Sequence, residues 1–400
     1  MKLSNRILEM DFSPIRKLVP LANDAEKRGL KVYRLNIGQP DIVTPDSFFE
    51  GITNYNEKIV KYCDSEGVDP LIKSFIKSYK DFNIEFERDE ILITQGGSEA
   101  ILFALMAVCD PGDNVLIPEP FYSNYNSFAK VAGAKVVPFL TKIENGFHLP
   151  PKEEIIEKIN DRTRCILISN PVNPTGTVYT AEELNMLADI AREYNLFIIS
   201  DEVYRQFVFD DIQYTSCMHI KDLQDRIILI DSISKHYSAC GARIGLVASK
   251  NKDLMKQILK LCQSRLCVST IEQYAAANLI NTLESYIKNV RCEYKIRRDV
   301  MFDYLNKIPG VVCNKPQGAF YILAKLPVDD TDTFAEWLLK DFSYDNKTVM
   351  FAPGAGFYAT DGLGKNEIRL SYCTDIEDIK NALVILQKAL EVYPNSSTIK

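Results

Sequence analysis

At 400 residues the chain is too long for one small core, and ordinary domain sizes give two or three compact units. Hydrophobic residues at 46% and charged residues at 25% sit near the averages for globular proteins, which excludes a disordered or membrane-embedded chain. The formal net charge of -7 leaves no broad basic surface, so nucleic acid is not an expected partner.

The opening stretch "MKLSNRILEMDFSPIRKL" lacks the continuous apolar core of a secretory signal. No later run is long enough for a transmembrane helix, so the expectation is a cytoplasmic protein with no membrane partner. "SPIRKLVPLANDAEKRG" then reads as a Pro-broken arm leading into a helix. Further on, short apolar runs that read as buried strands ("EILITQG", "NVLIPEP", "AKVVPFL", "CILISNP", "LFIISDEVY", "RIILIDSIS", "RIGLVAS") alternate with helical patterns such as "SEAILFALMAVCD" and "AEELNMLADIAREY". Such alternation predicts an α/β fold with a covered, mostly parallel sheet. From about Thr270 the pattern turns to long helical stretches, then "VVCNKP", "AFYILAKL", "VMFAP", "EIRLSY" and a final helix through "DIKNALVILQKALEVY", which predicts a second, α+β unit.

Ten cysteines, scattered between Cys63 and Cys373 without a CxxC pair, read as reduced and mostly buried thiols. The three histidines, His148, His219 and His236, lie far apart and supply neither a zinc site nor a triad, so no metal is expected. His236, with no carboxylate or cysteine partner visible in the sequence, reads as a neighbour of Lys235 rather than a catalyst.

Four strand ends carry chemistry, at the edge of an α/β sheet where ligands bind. In "TQGGSEAI", Gly96 and Gly97 precede a helix beginning near Ser98, and glycines there let the backbone approach a phosphate. In "SNPVNPTGTVY", prolines on either side of Asn173 stiffen the chain around its amide, and Thr180 is placed to cap the next helix. In "IISDEVYRQF", an apolar strand ends in Asp201, a carboxylate that needs a cationic or donor partner, with Tyr204 three residues on. In "DSISKHYSACGARIG", Ser232, Ser234, Lys235 and Arg243 follow an apolar run. Together these ends supply an amine, a carboxylate, a phenol, an amide and donors for a phosphate, an inventory that fits pyridoxal 5'-phosphate (PLP).

The blocks "LNIGQPDIVTP", "NPVNPTG", "SDEVY", "SISKHYSACGARIG", "PQGAFY" and "EIRLSY" occur in the order found in the class I/II aminotransferases, the fold type I PLP-dependent transferases, and the chain resembles that family over nearly its whole length. The resemblance implies a large domain with a mostly parallel central sheet (49–285), a smaller α+β domain (286–400), and an N-terminal arm that joins the small domain (1–48). It makes Lys235 the lysine that binds PLP covalently, and Arg243, Ser232, Ser234, Gly97 and Ser98 the holders of its phosphate. It places Asp201 on the pyridine nitrogen, Tyr204 and Asn173 on the ring hydroxyl, and Tyr122 on the ring face. Arg369 takes the substrate carboxylate, helped by Asn173 and the Gly38 backbone, and Tyr62 reaches the phosphate of a neighbouring subunit, which implies a homodimer with shared active sites.

The implied activity is transfer of an amino group from an L-amino acid to a 2-oxo acid such as 2-oxoglutarate, with ping-pong kinetics and with Lys235, Asp201 and Tyr204 catalytic. Ser98 stands where some aspartate-using relatives carry a lysine, and Arg265 falls near the place of a distal-carboxylate arginine in others, so it is carried as a substrate-binding candidate. C–S β-lyases and aminocyclopropane-carboxylate synthases share the same blocks and remain alternatives, with a non-catalytic PLP-fold regulator more remote. No strand leads into GxGxxG, so a nicotinamide enzyme is not expected.

Overall fold

The computed structural model describes residues 1–10 and 12–396. After β1 (Lys31–Arg34), the chain forms β2 (Ile91–Thr94), β3 (Asn114–Glu119), β4 (Lys135–Leu140), β5 (Thr163–Ser169), β6 (Phe197–Asp201), β7 (Ile227–Ser232) and β8 (Gly245–Ala248). The last seven make one sheet in the order β2-β8-β7-β6-β5-β3-β4. Its pairs are parallel from β4 through β7, and β8 runs antiparallel to both β7 and β2.

Alternation along each strand divides the side chains between two cores. Leu116, Ile166, Ile168, Ile198, Ile227 and Leu229 face one, and Val115, Ile117, Leu167, Ile199, Ile228 and Ile230 face the other. A sheet covered on both faces needs apolar residues at every position, which is why these strands read as unbroken apolar runs. Helices supply the covers, among them Gly96–Val108 and Lys252–Ser264 on one side and Asp69–Lys80 and Ala181–Glu193 on the other. Thr180 caps the last of these as expected, accepting from the Glu183 N–H while Glu183 reaches back to the Thr180 N–H at 2.7 Å.

A third core joins the two ends of the chain. β9 (Val312–Cys313), β10 (Tyr321–Lys325), β11 (Lys347–Met350), β12 (Ala352–Pro353) and β13 (Glu367–Ser371) follow the long helix Glu284–Leu305. Four of them form an antiparallel sheet in the order β12-β13-β10-β9, while β11 pairs in parallel with β1. Leu18, which precedes the helix Val19–Lys27, and Ala22 and Ala25 within it pack with Val290, Met301 and Leu386, so the N-terminal residues share a core with the C-terminal ones.

Beneath the carboxyl end of β7 lies a buried polar cluster. The Asp231 carboxylate, 0% exposed, pairs with the Arg205 guanidinium, accepts from the Tyr79 hydroxyl at 2.7 Å and lies 2.9 Å from His236 Nε2. His236 thus has the carboxylate partner that the sequence did not reveal. Burial, with Arg205 beside it, holds the imidazole well below its usual range, so it is neutral and locked in the core next to Lys235. The cysteines also differ from expectation: all ten are unpaired, but only Cys109, Cys165, Cys217 and Cys262 are fully buried.

Removing one partner of a buried ion pair leaves the other charge uncompensated. Arg205→Ala lowers the unfolding free energy by about 3–5 kcal/mol in urea titration, and adding Asp231→Asn recovers part of the loss. A single-variant change below about 1 kcal/mol contradicts the assignment of this pair as buried and mutually dependent.

Candidate active site

The four strand ends singled out from the sequence meet at the carboxyl edge of the sheet. β2 delivers the chain into the helix Gly96–Val108, which begins at Gly96 rather than near Ser98, so both glycines lie in its first turn. Gly96 takes φ +74°, and a Cβ there would stand 2.5 Å from Arg243 Nη2. Arg243, itself at φ 55°, donates from Nη1 to the Cys240 carbonyl at 3.0 Å and from Nη2 to the Gln95 carbonyl at 3.4 Å. Those bonds turn its guanidinium toward the helix start. The close approach also fixes Gly245, where a Cβ would lie 2.5 Å from the Gly96 carbonyl carbon.

β7 ends in Ser232, whose hydroxyl accepts from the Ser234 N–H at 3.1 Å and lies 2.7 Å from the Ser234 hydroxyl. That turn leads into the short helix Ile233–His236, which carries Lys235. The Lys235 amine donates to the Gly38 carbonyl at 2.8 Å. Asp201, at the end of β6, is 5% exposed; burial pushes its carboxyl up to about 6, opposed by the Tyr125 hydroxyl at 2.7 Å and the Val203 N–H at 3.3 Å. Tyr122 accepts at its hydroxyl from Asn124 at 2.8 Å and sets its ring edge-to-face on Tyr125, with centroids 5.5 Å apart. The Tyr204 hydroxyl, pushed well above the usual tyrosine value by burial and by Tyr321, lies 3.0 Å from the Tyr321 hydroxyl.

Arg369 enters from β13 in the other core and is 1% exposed. Its Nη1 donates to Asn173 Oδ1 at 3.0 Å and its Nη2 to the Asn36 carbonyl at 2.7 Å, leaving the buried Nε–H without a partner. Asn173 is held in turn by its loop, since the Gly176 carbonyl, at the φ +74° bend, accepts from the Gln317 and Gly318 N–H groups just before β10. Gly38 has no room for a side chain, because a Cβ there would overlap the Tyr321 hydroxyl.

Two candidates stand apart from this hydrogen-bonded cluster. Tyr62 is 80% exposed on the segment between the helices Asp46–Thr53 and Asp69–Lys80. Arg265 is not a solvated helix residue: it pairs with Glu99 at 3.2 Å and donates to the Ile93 carbonyl at 2.9 Å. Because Glu99 accepts from the Gln95 N–H at 2.8 Å, Arg265 braces the turn behind Arg243. Three participants were not singled out from the sequence: Tyr125, Asn36 and Tyr321. Asn36 and Tyr321 lie inside quoted blocks and Tyr125 three residues past Tyr122, but nothing in spacing alone tells an inward tyrosine from a packing one.

The donor set fits PLP. The half-buried Arg243 guanidinium, two serine hydroxyls and a helix start suit a phosphate dianion, while a buried carboxylate with a raised pKa suits a protonated ring nitrogen. Gly97, whose nearest neighbours would lie 3.6 Å or more from a Cβ, leaves its backbone open to the same space.

Comparison with known proteins agrees with this reading. The profile of the aminotransferase class I and II family matches residues 31–386. A probable aspartate/prephenate aminotransferase of Rickettsia conorii is 32% identical, with 98% of this chain and 99% of that protein aligned. The crystal structure of an aspartate aminotransferase from Thermotoga maritima superposes with a TM-score of 0.89 at 31% identity, covering 97% of this chain and all of that one, 100%. An alanine aminotransferase from Pyrococcus furiosus gives 0.88 at 32% identity, covering 97% and 99%. With the blocks in order, the sheet and the site in place and a family match across most of its length, the chain belongs to the class I and II aminotransferases, enzymes of fold type I that depend on PLP.

Proposed function

We propose that this aminotransferase takes the amino group of an L-amino acid of the aspartate type and passes it to 2-oxoglutarate, in ping-pong fashion. Support for the donor class comes from relatives named for aspartate, at about the same identity as one named for alanine. The observation that carries the reading is the buried Arg369 guanidinium, fixed by Asn173 and the Asn36 carbonyl but with one N–H free, beside a lysine amine and a buried carboxylate. A charge-assisted fork of this kind suits an α-carboxylate and has no evident use in a regulator that performs no chemistry.

In this reading Lys235 anchors PLP, Arg243, Ser232, Ser234, Ser98 and the Gly97 backbone hold its phosphate, and Asp201 keeps the ring nitrogen protonated. Tyr204 and Asn173 face the ring hydroxyl and Tyr122 the ring face. Bound PLP supplies the electron sink for the charge left when the Cα–H bond breaks. Arg369 and Asn173, with the Gly38 backbone, would orient the substrate so that Lys235 Nζ takes the proton from Cα; water would then supply the oxygen of the departing 2-oxo acid while the amino group stays behind for the second substrate. The exposed Tyr62 reaches the partner's phosphate, making the working unit a homodimer with shared sites. The bodies 1–48 with 286–400, and 49–285, act as its small and large domains. Ten unpaired cysteines fit the reducing cytoplasm, and no helix among the described residues is long and apolar enough to cross a membrane.

A donor screen with 2-oxoglutarate tests the activity. Aspartate yields glutamate in equal amount to the new oxo acid; pyruvate and ammonia from cystathionine, with no glutamate from any donor, establish a lyase instead. The two arginines then separate by readout. Arg243→Ala loses PLP on dialysis, whereas Arg369→Ala keeps the cofactor spectrum and loses about ten- to a hundredfold in kcat/KM, the worth of one charge-assisted bond. Arg369→Lys recovers little, since an ammonium makes no fork. Equal loss of PLP from both alanine variants reverses these assignments.

A further inference from the structure

Tyr321, the first residue of β10 and 3% exposed, touches three parts of the site at once. Its hydroxyl lies 3.0 Å from that of Tyr204, and the two rings meet edge-to-face at 85° with centroids 5.9 Å apart. The guanidinium carbon of Arg369 stands 4.3 Å from the Tyr321 ring centroid, a cation–π contact. The same hydroxyl fills the space beside Gly38, whose carbonyl holds the Lys235 amine.

We propose that Tyr321 is a positioning residue with two separable duties: its ring holds Arg369 ready for the substrate carboxylate, and its hydroxyl directs the Tyr204 O–H toward the ring oxygen of the cofactor. The proposal rests on the roles given above to Arg369 and Tyr204.

The hydroxyl argument is a count of protons. Each phenol has one proton to donate. Among the described residues Tyr204 is the one hydrogen-bond partner of the Tyr321 hydroxyl. If Tyr204 donated to Tyr321, it would turn only lone pairs toward an oxygen that carries negative charge. With Tyr321 donating to Tyr204, the Tyr204 proton is free for that oxygen, and each donation in the series strengthens the next. Burial keeps Tyr204 neutral, so the proton is there to give. The ring argument is one of shape: the Arg369 guanidinium packs on both the Tyr321 ring and that of Phe357, whose centroid is 4.9 Å away, so the two rings limit its movement. A phenylalanine at 321 keeps the ring and loses the hydroxyl, whereas leucine loses both.

Two readouts on the PLP-loaded protein test the duties separately. The first is the pH midpoint of the visible absorption band. A proton donated by Tyr204 competes with the chromophore's own proton for the ring oxygen, so weakening that donation raises the midpoint. Tyr321→Phe raises it by about half a unit or more, Tyr204→Phe raises it further, and Tyr321→Phe added to Tyr204→Phe moves it no more. The second readout is the Kd of an α-methyl amino acid matched to the best donor, which has no Cα–H to lose. Tyr321→Leu weakens that binding by roughly three- to thirtyfold, and Tyr321→Phe changes it less than about twofold. An equal midpoint shift from Tyr321→Phe in both backgrounds overturns the hydroxyl duty, and equal weakening by phenylalanine and leucine overturns the ring duty. A midpoint that Tyr204→Phe leaves unmoved, or a Kd that Arg369→Ala leaves unmoved, locates the failure in the role of Tyr204 or of Arg369, and the matching duty of Tyr321 falls with it.

Discussion

Burial of a carboxylate where the central sheet ends governs the rest of the site. Asp201 is 5% exposed, and its ionised form is stabilised in the bare protein by a tyrosine hydroxyl and a backbone N–H, too little to hold its pKa at the usual carboxylate value. Such a group favours a cation in the adjoining space. A protonated pyridine nitrogen meets that need, and pairing with it returns the carboxylate to its charged form. The opposite end of the same ligand, a phosphate dianion, would meet Arg243, two serines and a helix start. On the proposed roles, charge would set which way round the cofactor lies before any shape is considered.

The second body of the protein contributes the other half of the chemistry. Arg369 comes from β13 and Tyr321 from β10, strands of the antiparallel sheet, yet Arg369 binds Asn173 and Tyr321 meets Tyr204, both on loops of the large sheet. The Arg369–Asn173 bond therefore ties the antiparallel sheet to a loop of the large one. The "NPVNPTG" loop serves as the joint: its Gly176 carbonyl accepts from the backbone leading into β10 while its Asn173 faces the guanidinium.

Much of this was legible in the sequence because the elements obey local rules. Strands covered on both faces appear as unbroken apolar runs, and Thr180 with Glu183 announces a helix start. Asn173 stood out because prolines on either side stiffen the chain around its amide, whereas Lys235, Asp201 and Arg369 were legible only through the order of their blocks and the resemblance those blocks carry. Contacts between distant segments were not. Nothing near His236 signals that burial and Arg205, 31 residues away, keep it neutral in the core, and nothing near Arg265 signals that Glu99, 166 residues away, claims its guanidinium. Tyr125, on the helix Asn124–Ala132, and Asn36 and Tyr321, near strand ends, follow the same logic, since side-chain direction there depends on what packs against it. The antiparallel run of β8 escaped for a related reason, because a doubly covered strand reads the same in either direction.

The central claim is that these strand ends converge on one lysine as the cofactor's anchor. Borohydride reduction of the PLP-loaded protein, followed by peptide mapping, tests it most directly. The account predicts a single pyridoxyl label on Lys235, abolished in Lys235→Ala; a label on any other lysine, or none in a protein that retains PLP, contradicts it.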